Sequence, residues 1–95
     1  MKLILIICDE VDVSMVTRAL EGAGAKTYTL IPKVLGRGES RSHANTSAFP
    51  GLNCALLVGV DELKAEQVHA ALDEIQGTSP HQVLRAFAWS TEQWI

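Results

Sequence analysis

Apolar residues along this chain are grouped into four short runs and two helical stripes. Continuous aliphatic or β-branched runs are typical of strands, while spacing at i, i+3, i+4 and i+7 is typical of amphipathic helices. The predicted strands are residues 2–8, 26–35, 54–60 and 83–89. The predicted helical stripes are Val16, Ala19, Leu20 and Ala23, followed by Val68, Ala71, Leu72 and Ile75.

The ends of the two helical stripes carry residues that start and stop helices. Asp9 or Asp12 is predicted to cap the first helix and Asp61 the second, because a carboxylate accepts hydrogen bonds from first-turn N–H groups. Gly22 and Gly24 are expected to end the first helix and Gly77 the second, since glycine enters the left-handed conformation at little steric cost.

The resulting order of elements, β-α-β-β-α-β, predicts a single domain over residues 1–95. It favours an α+β, ferredoxin-like fold with an antiparallel sheet and both helices on one face. Pro32 lacks an N–H group, so the second strand is expected at a sheet edge. Because one helical layer cannot cover both faces of a sheet with apolar residues on every strand, we expect the chain to self-associate.

Cysteine placement gives a further expectation about the sheet. We expect the first and third strands to run parallel, side by side. Cys8 would then end one strand and Cys54 would start the other, at opposite ends of the sheet. A disulfide between them is therefore not expected, since it requires closely spaced Cα atoms.

Composition narrows the classes of function. A chain of 95 residues that is 47% hydrophobic is typical of a globular domain. Its net charge of -3 gives no reason to expect a nucleic-acid partner. The opening apolar run stops at Cys8 and lacks a small-residue cleavage site, which predicts a buried strand of a cytoplasmic protein rather than a leader peptide.

A long polar stretch, GRGESRSHANTSAFPGLN, covers residues 36–53 between two predicted strands. A connection of this length in a compact domain is usually either disordered or functional. Arg37 and Arg41 lie beside glycine and serine, so guanidinium and N–H groups could hold an anion together. His43 could bind a metal or an effector, and Asn53 could form hydrogen bonds at a cleft.

Three residues outside this stretch are also candidates. Arg85 lies in an apolar strand and must face solvent, a carboxylate or a ligand, because burying an unpaired charge is costly. Cys8 and His81, with His43, could form a metal site between subunits, although no spacing within one chain indicates it. Catalysis is not predicted, since no base that could activate the Cys8 thiol is evident.

Residues 15–39, MVTRALEGAGAKTYTLIPKVLGRGE, resemble the PII-like signal-transduction proteins of the nitrogen regulatory PII superfamily. The similar features are a helix ending in Arg-Ala-Leu, a glycine turn, a Thr-rich strand and a Lys-x-x-Gly-Arg motif. The order of elements extends the resemblance over essentially the whole chain. It implies a homotrimer that binds a small effector, usually an adenine nucleotide, between subunits and signals through a long T-loop, often to a membrane transporter.

The resemblance places the T-loop at residues 36–53 and implies effector contacts by Arg37 and Arg85. Together with the residues proposed above from their chemistry, the expected effector-binding set is Gly36, Arg37, Gly38, Arg41, Asn53 and Arg85. Arg85 stands about where typical members have a phosphate-contacting lysine. Gly38 replaces the glutamine that helps typical members to hold a metal and an oxoacid, and residues 77–82 replace their glycine-rich phosphate loop. The chain therefore resembles a divergent member whose effector differs from ATP with 2-oxoglutarate.

The bound cofactor is expected to be an adenine nucleotide or a divalent metal ion. The alternative function is a metal-binding, metal-tolerance module similar to the CutA-type trimers. That function would require metal uptake through His43, His81 or Cys8.

Overall fold

The computed structural model describes residues 1–34, 53–78 and 83–95. A short 3-10 turn, Glu10–Asp12, precedes the first helix. The strands and helices are β1 (Lys2–Asp9), α1 (Val13–Gly22), β2 (Thr29–Val34), β3 (Asn53–Val60), α2 (Glu62–Thr78) and β4 (Leu84–Ser90). The predicted β-α-β-β-α-β order is confirmed.

The four strands form one sheet in the order β2-β3-β1-β4, and each neighbouring pair is antiparallel. Both helices contribute to a core on one face of this sheet, which confirms the ferredoxin-like arrangement. The edge position predicted for β2 from Pro32 is also confirmed. The register of β2 with β3 shifts between Ile31 and Val34, and Lys33 in that interval has a φ of 58°.

The expectation that β1 and β3 run parallel was wrong. A helical crossover returns the chain to its original direction, so β2 runs with β1; the connection after β2 then reverses the chain once. The third strand must therefore run against the first. As a result, Cys8 and Cys54 do not lie at opposite ends of the sheet but are direct register partners. Both are buried, free thiols.

The core follows the alternation of strands and the stripes of helices. On β1, Ile4, Ile6 and Cys8 are buried while the intervening residues are half-buried. The helices present the residues that their spacing predicted, namely Val16 and Leu20 from α1 and Val68, Leu72 and Ile75 from α2. These side chains pack in one cluster with the buried strand residues, so the helices cover a single face of the sheet.

The helix ends agree with the sequence only in part. The backbone N–H of Lys64 donates to Asp61 Oδ1 at 2.8 Å, so the predicted cap of α2 is confirmed. No side-chain capping hydrogen bond forms at Asp9 or Asp12, because the 3-10 turn between them makes the entry into α1. The second helix continues one residue beyond Gly77.

The face of the sheet opposite the helices is mostly apolar, and neither helix covers it. We call it the open face; in register it consists of Leu3, Leu5, Ile7, Asp9, Thr29, Ile31, Asn53, Ala55, Leu57, Gly59, Arg85, Phe87 and Trp89. Phe87 is 54% exposed and Trp89 is 45% exposed. A contiguous apolar surface of this kind is typical of an interaction site.

Replacing Leu56 by alanine is expected to lower the free energy of unfolding by about 2–5 kcal/mol, because the lost side chain leaves a core cavity. Leu56 is fully buried on β3, whereas Leu63 on α2 is 66% exposed and provides the matched control. Urea denaturation followed by circular dichroism measures both variants. Leu63→Ala should change stability by less than about 0.5 kcal/mol; equal losses in the two variants would contradict the assigned core.

Candidate effector site at one end of the sheet

The described part of the chain includes three of the predicted site residues, Asn53, Arg85 and Cys8. The others lie outside the described residues, namely Gly36, Arg37, Gly38, Arg41, His43 and His81. The predicted loop, residues 36–53, is likewise outside except for its last residue. The geometry of the site is therefore built from the ends of the strands.

The sheet topology brings Asn53 and Arg85 to the same end and the same face. Because β3 and β4 both run against β1, both begin where β1 finishes. Asn53 is the register partner of Asp9, and Arg85 is the register partner of Ile7, two residues earlier on β1. With neighbouring strands about 4.8 Å apart and a rise of about 3.3 Å per residue, this offset separates the backbones of Asn53 and Arg85 by roughly 12 Å.

Arg85 is exposed at the start of β4, on the open face. Its Nη1 donates to the backbone carbonyl of Leu84 at 3.0 Å, which holds the guanidinium against its own strand. The exposed position satisfies the requirement that this charge should not be buried unpaired. A guanidinium has five N–H donors, so the side chain retains donors for an anion.

Asn53 is the first residue of β3 rather than the last residue of the loop, which corrects its predicted placement. Its side chain is only 7% exposed. Among the described residues, no donor reaches its buried Oδ1. A buried amide oxygen without a donor is costly, so this atom is suited to accept a hydrogen bond from a group that enters the site.

These two side chains offer complementary chemistry. The guanidinium of Arg85 can donate two parallel hydrogen bonds to a phosphate or carboxylate-like anion. The Asn53 oxygen can accept from an amino or hydroxyl group. Asp9, the register partner of Asn53, lies on the central strand between β3 and β4. A ligand with both an anionic part and hydroxyl or amino donors would match this set.

Cys8 lies apart from this pair, on the helix-covered face of β1. The pKa of the Cys8 thiol is raised from 9.0 to about 11. Burial is the largest cause, and the smaller causes are the nearby charges of Cys54, Asp12 and Asp9. Thiolate is the form that ligates metals, so this environment disfavours metal binding at neutral pH. In residues 1–34, 53–78 and 83–95, no cluster of three His, Cys, Asp or Glu side chains could hold a metal ion.

A shallow groove of about 460 Å³ lies between α2 and β4, and neither Asn53 nor Arg85 lines it. It is lined by apolar side chains such as Ile4, Ala86 and Ala88, with His69 among its polar residues. The groove contains none of the predicted site residues. His69 Nε2 lies 3.5 Å from Asp73 Oδ2, and both side chains are exposed, as expected for a surface histidine.

Neither helix in the described ranges combines the length and apolar character needed to cross a membrane.

The model of the family described as nitrogen regulatory protein P-II matches residues 1–88. The chain belongs to the P-II family. This match covers nearly all of the chain and confirms the resemblance seen in residues 15–39. No match was found among curated proteins.

Solved structures agree with the P-II fold. A PII-like signaling protein from Thermus thermophilus is 25% identical, with a TM-score of 0.65 over 93% of this chain and 82% of that one. CPII, a nitrogen regulatory PII-like protein from Thiomonas intermedia K12, has been solved with ADP, AMP and bicarbonate in two structures. One is 22% identical, with a TM-score of 0.70 over 92% of this chain and 86% of that one. The other is 18% identical, with a TM-score of 0.68 and coverage of 99% and 94%.

Two aspects of the site could not be identified without the sheet register. Trp89 lies on the exposed open face beside Phe87, a position that only the register of β4 with β1 reveals. The sequence does not predict the proximity of Cys8 and Cys54, because the expected parallel direction of β1 and β3 places them at opposite ends of the sheet. Counting chain reversals along the element order would have revealed it.

Because the pKa of the Cys8 thiol is raised in the folded chain, the free energy of unfolding is expected to decrease at high pH. The unfolded thiol ionises near 9.0 and the folded thiol near 11, so stability should fall as the pH rises between these values, by on the order of 2 kcal/mol. Urea denaturation of the reduced wild type and of Cys8→Ala at about pH 8 and about pH 10.5 isolates this group. The stability difference between them should shrink at the higher pH; an unchanged difference would show that the thiol ionises normally.

Proposed function

We propose that this P-II protein is a regulatory binding module that assembles as a homotrimer and binds an adenine nucleotide together with a small carboxylate-like anion. The effectors would occupy clefts between subunits, and the segment 36–53 would transmit their presence to a partner, such as a membrane transporter. The match of residues 1–88 to the P-II family model carries this proposal.

The open face supports the assembly. Its central row joins Leu57, Leu5 and Phe87 across three adjacent strands, and Trp89 extends the apolar surface along β4. Burying apolar surface yields roughly 25 cal/mol per Å², which makes contact between copies favourable. Packing through this face would leave the strand ends, with Asn53 and Arg85, at the seams between subunits.

The chemistry of those strand ends supports the choice of effector. CPII from Thiomonas intermedia has been solved with ADP, AMP and bicarbonate. In this chain, Arg85 would bind a phosphate or bicarbonate, while Asn53 Oδ1 would accept from an amino or hydroxyl group of the nucleotide. Gly36, Arg37, Gly38 and Arg41 would complete the anion site from the preceding segment.

The family match favours this regulatory function over the CutA-like metal module. The raised pKa of the buried Cys8 thiol points the same way, because it keeps the sulfur protonated at neutral pH. Binding and release of a small effector also requires no catalytic base, in keeping with a regulator rather than an enzyme.

Replacing Phe87 by aspartate is expected to dissociate the assembly, because a charge would be placed in the middle of a desolvated interface. Light scattering coupled to size exclusion should give the wild type about three times the chain mass of 10.3 kDa and the variant a lower mass. Leu63→Asp, on the exposed side of α2, is the control and should keep the wild-type mass. A monomeric wild type would refute the proposed assembly.

Replacing Arg85 by glutamine is expected to weaken nucleotide binding roughly tenfold to a hundredfold, since a hydrogen bond between charged groups would be lost. Isothermal titration with ADP and AMP, each with and without bicarbonate, measures this effect. Arg18→Gln removes the same charge from the exposed surface of α1 and should bind as the wild type does. Undiminished affinity in Arg85→Gln would remove Arg85 from the site, and absence of binding by the wild type would refute the effector class.

A further inference from the structure

Cys8 and Cys54 are far apart in the sequence but lie opposite each other in the sheet. They are direct register partners in the antiparallel β1–β3 pair. Directly opposed residues place their side chains on the same face of a sheet. Cys8 is 0% exposed and Cys54 is 2% exposed. Each thiol therefore has the other as a neighbour across one strand gap, while bulky reagents are excluded from both.

The backbone spacing of such a pair suits a covalent bond. Opposed residues in antiparallel strands have Cα atoms about 4.5–5.5 Å apart, and disulfides form over Cα separations of about 4.4–6.8 Å. Their Cβ atoms, about 4.5–5.5 Å apart, must approach to about 3.5–4.5 Å. A small local shift of the two strands meets this requirement without unfolding the sheet. Cys54 is also among the groups whose charge raises the pKa of Cys8, in agreement with close thiols.

We propose that Cys8 and Cys54 form a reversible intramolecular disulfide site that is oxidised by small hydroperoxides. One cysteine, as thiolate, attacks an oxygen of hydrogen peroxide; the O–O bond breaks, a sulfenic acid forms and hydroxide leaves, taking up the released proton to become water. The second thiolate attacks the sulfenic sulfur; the S–S bond forms, the S–O bond breaks and a second water leaves. Two thiols are oxidised and one peroxide is reduced to two waters.

Burial determines the character of this site. Larger disulfide oxidants cannot reach sulfur atoms that are nearly inaccessible, and a raised thiol pKa slows attack at neutral pH. Oxidation is therefore slow, and the neighbouring thiol captures the sulfenic acid before further oxidation. The bond closes a loop of roughly 45 residues, which restricts the unfolded chain. It also fixes β1 to β3 directly beside Asn53, where β3 begins.

The experiment treats the reduced full-length chain with hydrogen peroxide, removes the oxidant and measures intact mass. The expected product is a chain lighter by about 2 Da at its two cysteines, corresponding to loss of two hydrogens. Peptide mapping should identify a Cys8–Cys54 cross-link. It also separates this change from oxidation of methionine, which alters the intact mass independently. After denaturation the product should resist iodoacetamide until dithiothreitol restores both thiols. The thermal midpoint of the oxidised chain should rise by ~10 °C.

Cys8→Ser and Cys54→Ser are matched controls, and neither should lose the two hydrogens. The wild-type measurement decides the proposal even if a variant does not fold. Recovery of both cysteines as free thiols after long exposure would overturn it. So would sulfinic acid on either cysteine, or a disulfide that joins two chains. Because the readout is mass, failure of this proposal is distinct from failure of nucleotide binding.

Discussion

The structure depends on β1, the central strand that forms an antiparallel ladder with β3 on one side and with β4 on the other. Both β3 and β4 begin where β1 ends. Segments that are far apart in the chain therefore meet at the same end of the sheet. Alternation along β1 also divides its side chains between a helix-covered core and the open face. Loss of this register by one residue would exchange the two faces.

The sequence was sufficient for the elements and the family, since both depend on local pattern. The stripes containing Val16 and Val68 and the cap at Asp61 each follow from short-range geometry. Strand direction does not follow from local pattern. Cys8 and Cys54 were misplaced because their separation depends on how many times the chain reverses between them. The entry into α1 was similarly unpredictable, because a 3-10 turn replaced the capping carboxylate.

The site could be predicted only in its residue types. Arg85 was identified because a charge inside an apolar strand requires an explanation, and its exposed position supplies one. Asn53 was assigned to the loop because it ends the polar stretch 36–53. Its burial at the start of β3 and its Oδ1 without a donor among the described residues depend on tertiary packing. No spacing in the sequence shows such an atom.

The two faces of the sheet thus provide different chemistry at the same end. On the open face, Asn53 and Arg85 are suited to a polar, anionic ligand. On the opposite face, one residue away along the strands, Cys8 and Cys54 lie in a dry core. A covalent bond between the thiols would act on the same two strands that position Asn53. Because Cys54 and Asn53 are adjacent on the same strand, a strand shift that brings the two sulfur atoms into bonding distance would also move the side-chain amide of Asn53. The proposed disulfide would therefore couple the redox state of the core to the geometry of the proposed ligand site through β3.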